Sequence, residues 1–189
     1  MIHKLAISSS RLHPIISARW SPRAFDEKFE ISQEDISALL EAARWSPSAS
    51  NHQPWRYIVA KRGDSKFNQI SETLDKFNHV WAPKSSLFIV ACAETALPSG
   101  KNNPTALYDV GLSVAFMCVE ASYRGFVIHQ MAGFNHDLIK SSFALGATSQ
   151  PIAIIAIGIQ AEAETLGNEV LVKREKEPRS RKELAEILL

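Results

Sequence analysis

The sequence is poor in the residues that most often announce a function. Its 189 residues include two cysteines, Cys92 and Cys118, each inside an apolar run (88–93 and 114–121). The expected state of both is a buried free thiol, which argues against a disulfide framework or a redox pair. The six histidines, at positions 3, 13, 52, 79, 129 and 136, have no metal-ligand spacing, so no metal site is expected. His129 lies in an apolar stretch and reads as a satisfied core residue. A formal net charge of +1 supplies no bulk attraction to nucleic acid or to an acidic membrane. The longest apolar run, near 152–159, is too short to span a bilayer. The start of the chain turns from Lys4, Leu5, Ala6 and Ile7 to Ser8-Ser9-Ser10-Arg11, without a signal-peptide apolar core, so a cytoplasmic location is expected. Nucleophile elbow, P-loop and GxGxxG fingerprints are all missing. Gly125 and Gly133 flank a strand-like run without the spacing of a dinucleotide loop, and Asp26 beside Glu27 reads as a turn. No constellation of side chains is equipped for acid–base or covalent catalysis on its own. The economical inference is a phosphate-bearing cofactor that brings its own reactivity.

What is present is enough for a folded core. Apolar residues make up 46% of the chain, and neither a repeat nor a linker divides it, so a single domain over 1–189 is expected. Ser32 is placed to cap a helix, with Glu34 and Asp35 in its first turn and Ile36, Leu39, Leu40 and Ala43 on one stripe. Tyr57-Ile58-Val59-Ala60 reads as a strand. Phe67, Ile70, Leu74 and Phe77 mark an amphipathic helix. Residues 86–91 read as a central strand buried on both faces. A long helix is expected over 105–124, closed by Gly125 at C′. A short strand follows at 126–129, then a short helix after Asn135 and a β-branched strand over 150–160. Residues 161–177 read as a polar surface excursion. Ser180 and Glu183 have the spacing of a capping box before Leu184. The order of elements implies a mixed sheet flanked by helices.

Two features exceed structural need. The helix-to-strand connector Ser46-Pro47-Ser48-Ala49-Ser50-Asn51-His52-Gln53-Pro54-Trp55 is crowded with short hydroxyl and amide side chains. Such residues can fold back on the local backbone and leave N–H groups free for a guest. Arginines also cluster twice, in Arg19-Trp20-Ser21-Pro22-Arg23 and in Pro178-Arg179-Ser180-Arg181-Lys182. In an extended segment, residues two or four apart share a face, so each cluster can converge on one anion. Guanidinium forks suit phosphate oxygens, although solvated surface charge is the alternative.

These motifs, with His129-Gln130-Met131-Ala132-Gly133-Phe134, occur in the order found in the FMN-dependent nitroreductase family, which the chain resembles over nearly its whole length. The resemblance implies an α+β fold with a mixed, largely antiparallel sheet flanked by helices, in an intertwined homodimer with FMN at the interface. It implies that Arg19, Trp20, Ser21 and Arg23 hold the FMN phosphate and ring edge. Arg179 and Arg181 would reach the phosphate and ribityl chain. Ser48, Ala49 and Asn51 would contact the flavin of the other protomer. Asn78 would face the pyrimidine edge, and Gln130, Met131, Ala132 and Gly133 would lie against the ring with backbone N–H groups near N5. Ala132 and Ala49 depart from the acidic residue and the serine found in some members. The short segment 94–105 implies a small lid. The implied activity is ping-pong transfer of hydride from NAD(P)H through flavin to nitroaromatics, quinones or related small acceptors, with no catalytic side chain. Alternatives are a flavin-binding or flavin-delivery protein, or a specialised flavin enzyme that removes halogen or consumes its flavin.

Overall fold

The computed structural model describes residues 2–189. It has four strands, β1 (Trp55–Lys61), β2 (Leu87–Glu94), β3 (Val127–Met131) and β4 (Ser149–Gly158), in the order β1-β2-β4-β3. All three pairings are antiparallel, so the expected mixed character is not found among the described residues. The helices are α1 (Pro14–Ala18), α2 (Gln33–Arg44), α3 (Ser65–Thr73), α4 (Lys76–His79), α5 (Ala106–Tyr123), α6 (His136–Ser142) and α7 (Glu169–Lys176).

The two-residue period of a strand divides the core into two layers. Leu87, Ile89, Ala91 and Ala93 of β2 pack with α2 and α5, while Phe88, Val90 and Cys92 pack with residues of α3, α6 and α7. Burying a side chain such as Phe88 contributes about 1.5–3 kcal/mol, and its ring also stacks 4.2 Å from that of Phe67. Helix α2 is locked to α5 by a buried relay. Ser113 Oγ donates to the Ala43 carbonyl at 2.7 Å, so the Tyr57 hydroxyl, 2.6 Å away, donates to Ser113. Among the described residues no helix is long and apolar enough to cross a membrane.

Most element expectations hold. Ser32 caps α2 through Asp35 N–H, and Asn135 caps α6 through Leu138 N–H. Gly125 follows α5 with φ +79°, the left-handed C′ conformation. Cys92 and Cys118 are buried free thiols.

Three expectations change. The helix expected through Phe67 to Phe77 breaks at Leu74, which is extended and bridges to Phe134, leaving Phe77 at the surface. Asp75 then starts α4 by accepting from Asn78 N–H at 2.7 Å. The segment 161–177 is not a plain surface excursion: it forms a 3-10 turn and α7, burying Ala163, Leu166, Leu171 and Glu175. Near the C-terminus the cap is Glu183, boxed with Glu186, and not Ser180.

Candidate functional site

The segment after α1 is held by its backbone. Pro22 is fixed by His129, whose Nδ1–H donates to the Pro22 carbonyl at 2.9 Å. The imidazole lies 4.5 Å from the Trp81 ring, and burial pushes it down to about 4, so it is neutral near pH 7. Arg23 N–H and Ala24 N–H both donate to the buried Glu175 carboxylate of α7. The Arg23 guanidinium sits over Phe77 and Trp81 and 4.0 Å from Glu175. Its Nε and the Trp81 indole N–H are buried donors without a partner among the described residues.

Arg19 donates to Ser21 Oγ at 3.2 Å. Arg179 arrives from the other end of the chain and donates to the carbonyls of Lys4 and Ser17 at 2.8 and 2.7 Å. Its pKa is lowered by burial and then by the positive charges of Arg19 and Arg181. Lys4, whose ammonium lies 4.2 Å from the Trp20 ring centroid, is lowered by burial and by Arg23 and Arg179, against the pull of Glu175 and Glu177. The fold therefore gathers cations from two distant stretches of sequence into mutual repulsion, which an anion at this place would relieve.

Beside this cluster runs β3, an edge strand, whose outward backbone groups have no strand partner among the described residues. Gln130 donates from Nε2 to Cys118 Sγ, tying the end of β3 to α5. Gly133 is there for space: a Cβ would fall 2.0 Å from Asp75 Oδ2 and 2.8 Å from Asn78 Nδ2. Its carbonyl accepts from Asp75 N–H at 3.0 Å and from Asn78 Nδ2 at 3.1 Å, so one of the two amino N–H donors of the Asn78 amide is used inside the protein. A cavity of about 540 Å³ touches Arg19 and Trp20 but is floored by Gly125–Ile128, toward the opposite end of β3 from Gln130–Gly133.

The serine-rich connector lies elsewhere. It leads into β1 at the opposite edge of the sheet, where Trp55 pairs with Ala93 and Ala93 with Gln150, whereas Met131 pairs with Ile154. Three strand spacings and four residues of rise separate Trp55 from Met131, roughly 20 Å. The connector is strained, with positive φ at Ser50 (49°), Asn51 (55°) and Gln53 (49°). Its amides are also not all free: Ala49 N–H faces both oxygens of the buried Asp109 at 3.4 Å, and Gln53 N–H donates to Ser48 Oγ at 3.0 Å.

One chain thus brings Arg19, Trp20, Ser21, Arg23, Arg179 and Arg181 to one side of the sheet, with Asn78 and Gln130–Gly133 beside them. It keeps Ser48, Ala49 and Asn51 apart. Glu175 and Asp109, which organise these two walls, were not foreseen. Both have a trace in the sequence: Glu175 is one helical turn beyond the apolar Leu171, and Asp109 one turn before Ser113 on the inward stripe of α5.

The chain matches the model of the Nitroreductase family over residues 16–159. Its structure superposes, with a TM-score of 0.91 and 30% identity, on a crystal structure of an oxidoreductase containing FMN, covering 96% of this chain and 92% of that one. It is 28% identical over 151 residues to an oxygen-insensitive NADPH nitroreductase of Helicobacter pylori, covering 77% of this chain and 67% of that protein. Over 107 residues it is 35% identical to the major NAD(P)H-flavin oxidoreductase of Aliivibrio fischeri, covering 54% of this chain and 47% of that protein. With the family pattern spanning most of the chain and the fold matching throughout, this protein belongs to the Nitroreductase family.

Proposed function

We propose that the chain is a cytoplasmic FMN-dependent oxidoreductase of one domain over 1–189. In this reading NAD(P)H reduces it, and nitroaromatics, quinones or related small acceptors reoxidise it in ping-pong turnover. The observation that carries the reading is the docking of Arg179 from the tail onto the carbonyls of Lys4 and Ser17, the latter two residues before Arg19, which joins the two arginine clusters into one cationic wall suited to a phosphate dianion. The FMN-containing structure and the named NAD(P)H-dependent relatives support the identity of the cofactor.

FMN, when bound, supplies the hydride chemistry, so the chain's own residues have only to bind and orient. Arg19, Ser21, Arg179 and Arg181 hold the phosphate. Trp20 and Arg23 complete that wall. The outer edge of β3 through Gln130, Met131, Ala132 and Gly133 backs the ring. The glycine at this end of the wall is required by the packing behind it, where any larger residue would displace Asp75 and Asn78.

The protein works as a homodimer with FMN at the interface. The connector that carries Ser48, Ala49 and Asn51 enters the sheet at Trp55, roughly 20 Å from Met131 of the β3 wall in its own chain, so a second copy is the way to bring them to that wall. Helix α5 favours the same conclusion. It is apolar nearly all round, with Tyr108, Phe116, Val119 and Tyr123 exposed opposite its buried stripe. Such a helix is normally covered on both sides.

The test has two parts. Protein reconstituted with FMN should lose its flavin absorbance band on anaerobic addition of NADH or NADPH; retention of FMN without reduction by either nicotinamide overturns the reductase reading. Arg19→Ala and Arg181→Ala should each weaken FMN binding by about 1.5–3 kcal/mol, the worth of a charge-assisted hydrogen bond. Unchanged affinity in both returns these arginines to ordinary surface charge.

A further inference from the structure

We infer that Glu175 is the positioning residue that sets the two arginine clusters against each other, and so fixes how tightly the cofactor's phosphate is held. The inference rests on the FMN reading above and adds to it a residue that does not itself touch the cofactor.

Glu175 is fully buried, yet it is a carboxylate on the short helix that launches the C-terminal tail. A buried carboxylate is costly unless its oxygens are matched by donors. Here they are matched by the N-terminal cluster. Oε1 accepts from Arg23 N–H at 2.8 Å and from Ala24 N–H at 3.1 Å, while Oε2 accepts from Arg23 N–H at 3.1 Å and faces the Arg23 guanidinium at 4.0 Å. The contact joins residues 152 positions apart. On the N-terminal side, the tethered Arg23 lies four residues after Arg19. On the C-terminal side, Arg179 lies four residues after Glu175. One carboxylate is therefore a short and fully buried link between the two ends of the clamp, beside the bonds that Arg179 itself makes to the Lys4 and Ser17 carbonyls.

The same contact divides labour among the arginines. Arg23 has a carboxylate beside it and two aromatic rings beneath it, so its charge is partly spent within the protein. Arg19, Arg179 and Arg181 have no carboxylate partner among the ion pairs of the described residues, and they remain to meet the phosphate.

The test compares FMN with riboflavin, which shares the ring and ribityl chain but lacks the phosphate. Both are titrated into the full-length apoprotein by flavin fluorescence quenching. Wild type should prefer FMN strongly. Glu175→Ala should lower the FMN-to-riboflavin affinity ratio at least tenfold, with riboflavin affinity changed by less than about threefold, as expected for charge-assisted bonds lost at the phosphate alone. Glu175→Gln, whose Oε1 can still accept from both backbone N–H groups, should keep the ratio within about threefold of wild type. If the alanine variant fails to fold, Glu175→Asp carries the same readout: it keeps the charge but shortens the reach, and should lower the ratio at least fivefold. A ratio unchanged in the folded Ala or Asp variant overturns the inference. So does a parallel fall in affinity for both flavins, the signature of a merely structural role. A wild-type protein with no preference for FMN over riboflavin overturns the cofactor reading together with this one, and is thereby distinguished from a failure of Glu175 alone.

Discussion

Gly133→Ala tests the packing behind the proposed ring wall with a single methyl group. The added Cβ would lie 2.0 Å from Asp75 Oδ2, 2.8 Å from Asp75 Cγ and 2.8 Å from Asn78 Nδ2. The Asp75 carboxylate must therefore move. In moving it gives up the cap it makes with Asn78 N–H, a loss of about 1 kcal/mol. The bond from Asn78 Nδ2 to the Gly133 carbonyl is strained by the same methyl, for about 1 kcal/mol more. The expected destabilisation is about 2 kcal/mol, or a fall of about 4–8 °C in Tm for a chain of this size. Thermal and urea unfolding of the apoprotein measure it. A double-mutant cycle separates steric conflict from general fragility. Asp75→Ala alone should cost about 1 kcal/mol as a lost cap, and in that background Gly133→Ala should cost at least about 1 kcal/mol less than in wild type, because the clashing group is gone. A Tm for Gly133→Ala within 1 °C of wild type, or costs that add to within about 0.5 kcal/mol, refutes the steric account.

Two further outcomes follow from buried and exposed side chains. His129 is held down to about 4 by burial, with Arg23 and Arg19 adding to the effect against the Pro22 carbonyl. The unfolded chain takes up this proton below about pH 6.5, whereas the folded chain resists until about pH 4, so stability is intact above 6.5 and falls by up to about 3 kcal/mol as the pH drops through that window. Urea denaturation at pH 7, 6 and 5 should show this slope in wild type and lose it in His129→Gln; equal slopes count against the assignment. Phe116→Glu, on the outward face of α5, should yield a monomer by light scattering and lose FMN in parallel. A flavin-loaded dimer from this variant would place the interface elsewhere.

Much of the fold was legible because its signals are local. The cap at Ser32, the glycine after α5 and the apolar run 87–93 of β2 each rest on residues within a few positions of one another. The misread stretches had local signals that tertiary contacts overrode. Phe67 to Phe77 has helical spacing throughout, but Leu74 gains more by pairing with Phe134, and the helix splits in two. The charged segment 161–177 looked solvated because Glu175 reads as a surface residue until the backbone donors of Arg23 and Ala24 are placed against it. The connector was read as a source of free amides, yet part of its donor capacity is taken by Ser48 and by Asp109 from a helix far along the chain.

For the candidate site, the sequence by itself determined the ingredients: arginines at both ends, a polar connector, a glycine at the end of β3, and none of the equipment of self-sufficient catalysis. Composition and motif order carry that information, because charge, hydrogen-bonding capacity and the absence of a Cβ belong to residues wherever they lie. Which ingredients meet was decided by the tertiary structure alone. Arg19 and Arg179 are brought within mutual repulsion by the docking of the N-terminal segment against the tail after α7, under the hold of Glu175. The connector is sent to the far edge of the sheet by the strand order β1-β2-β4-β3. Strand order and long-range tethers depend on contacts between residues many positions apart, and no local pattern in the chain encodes them.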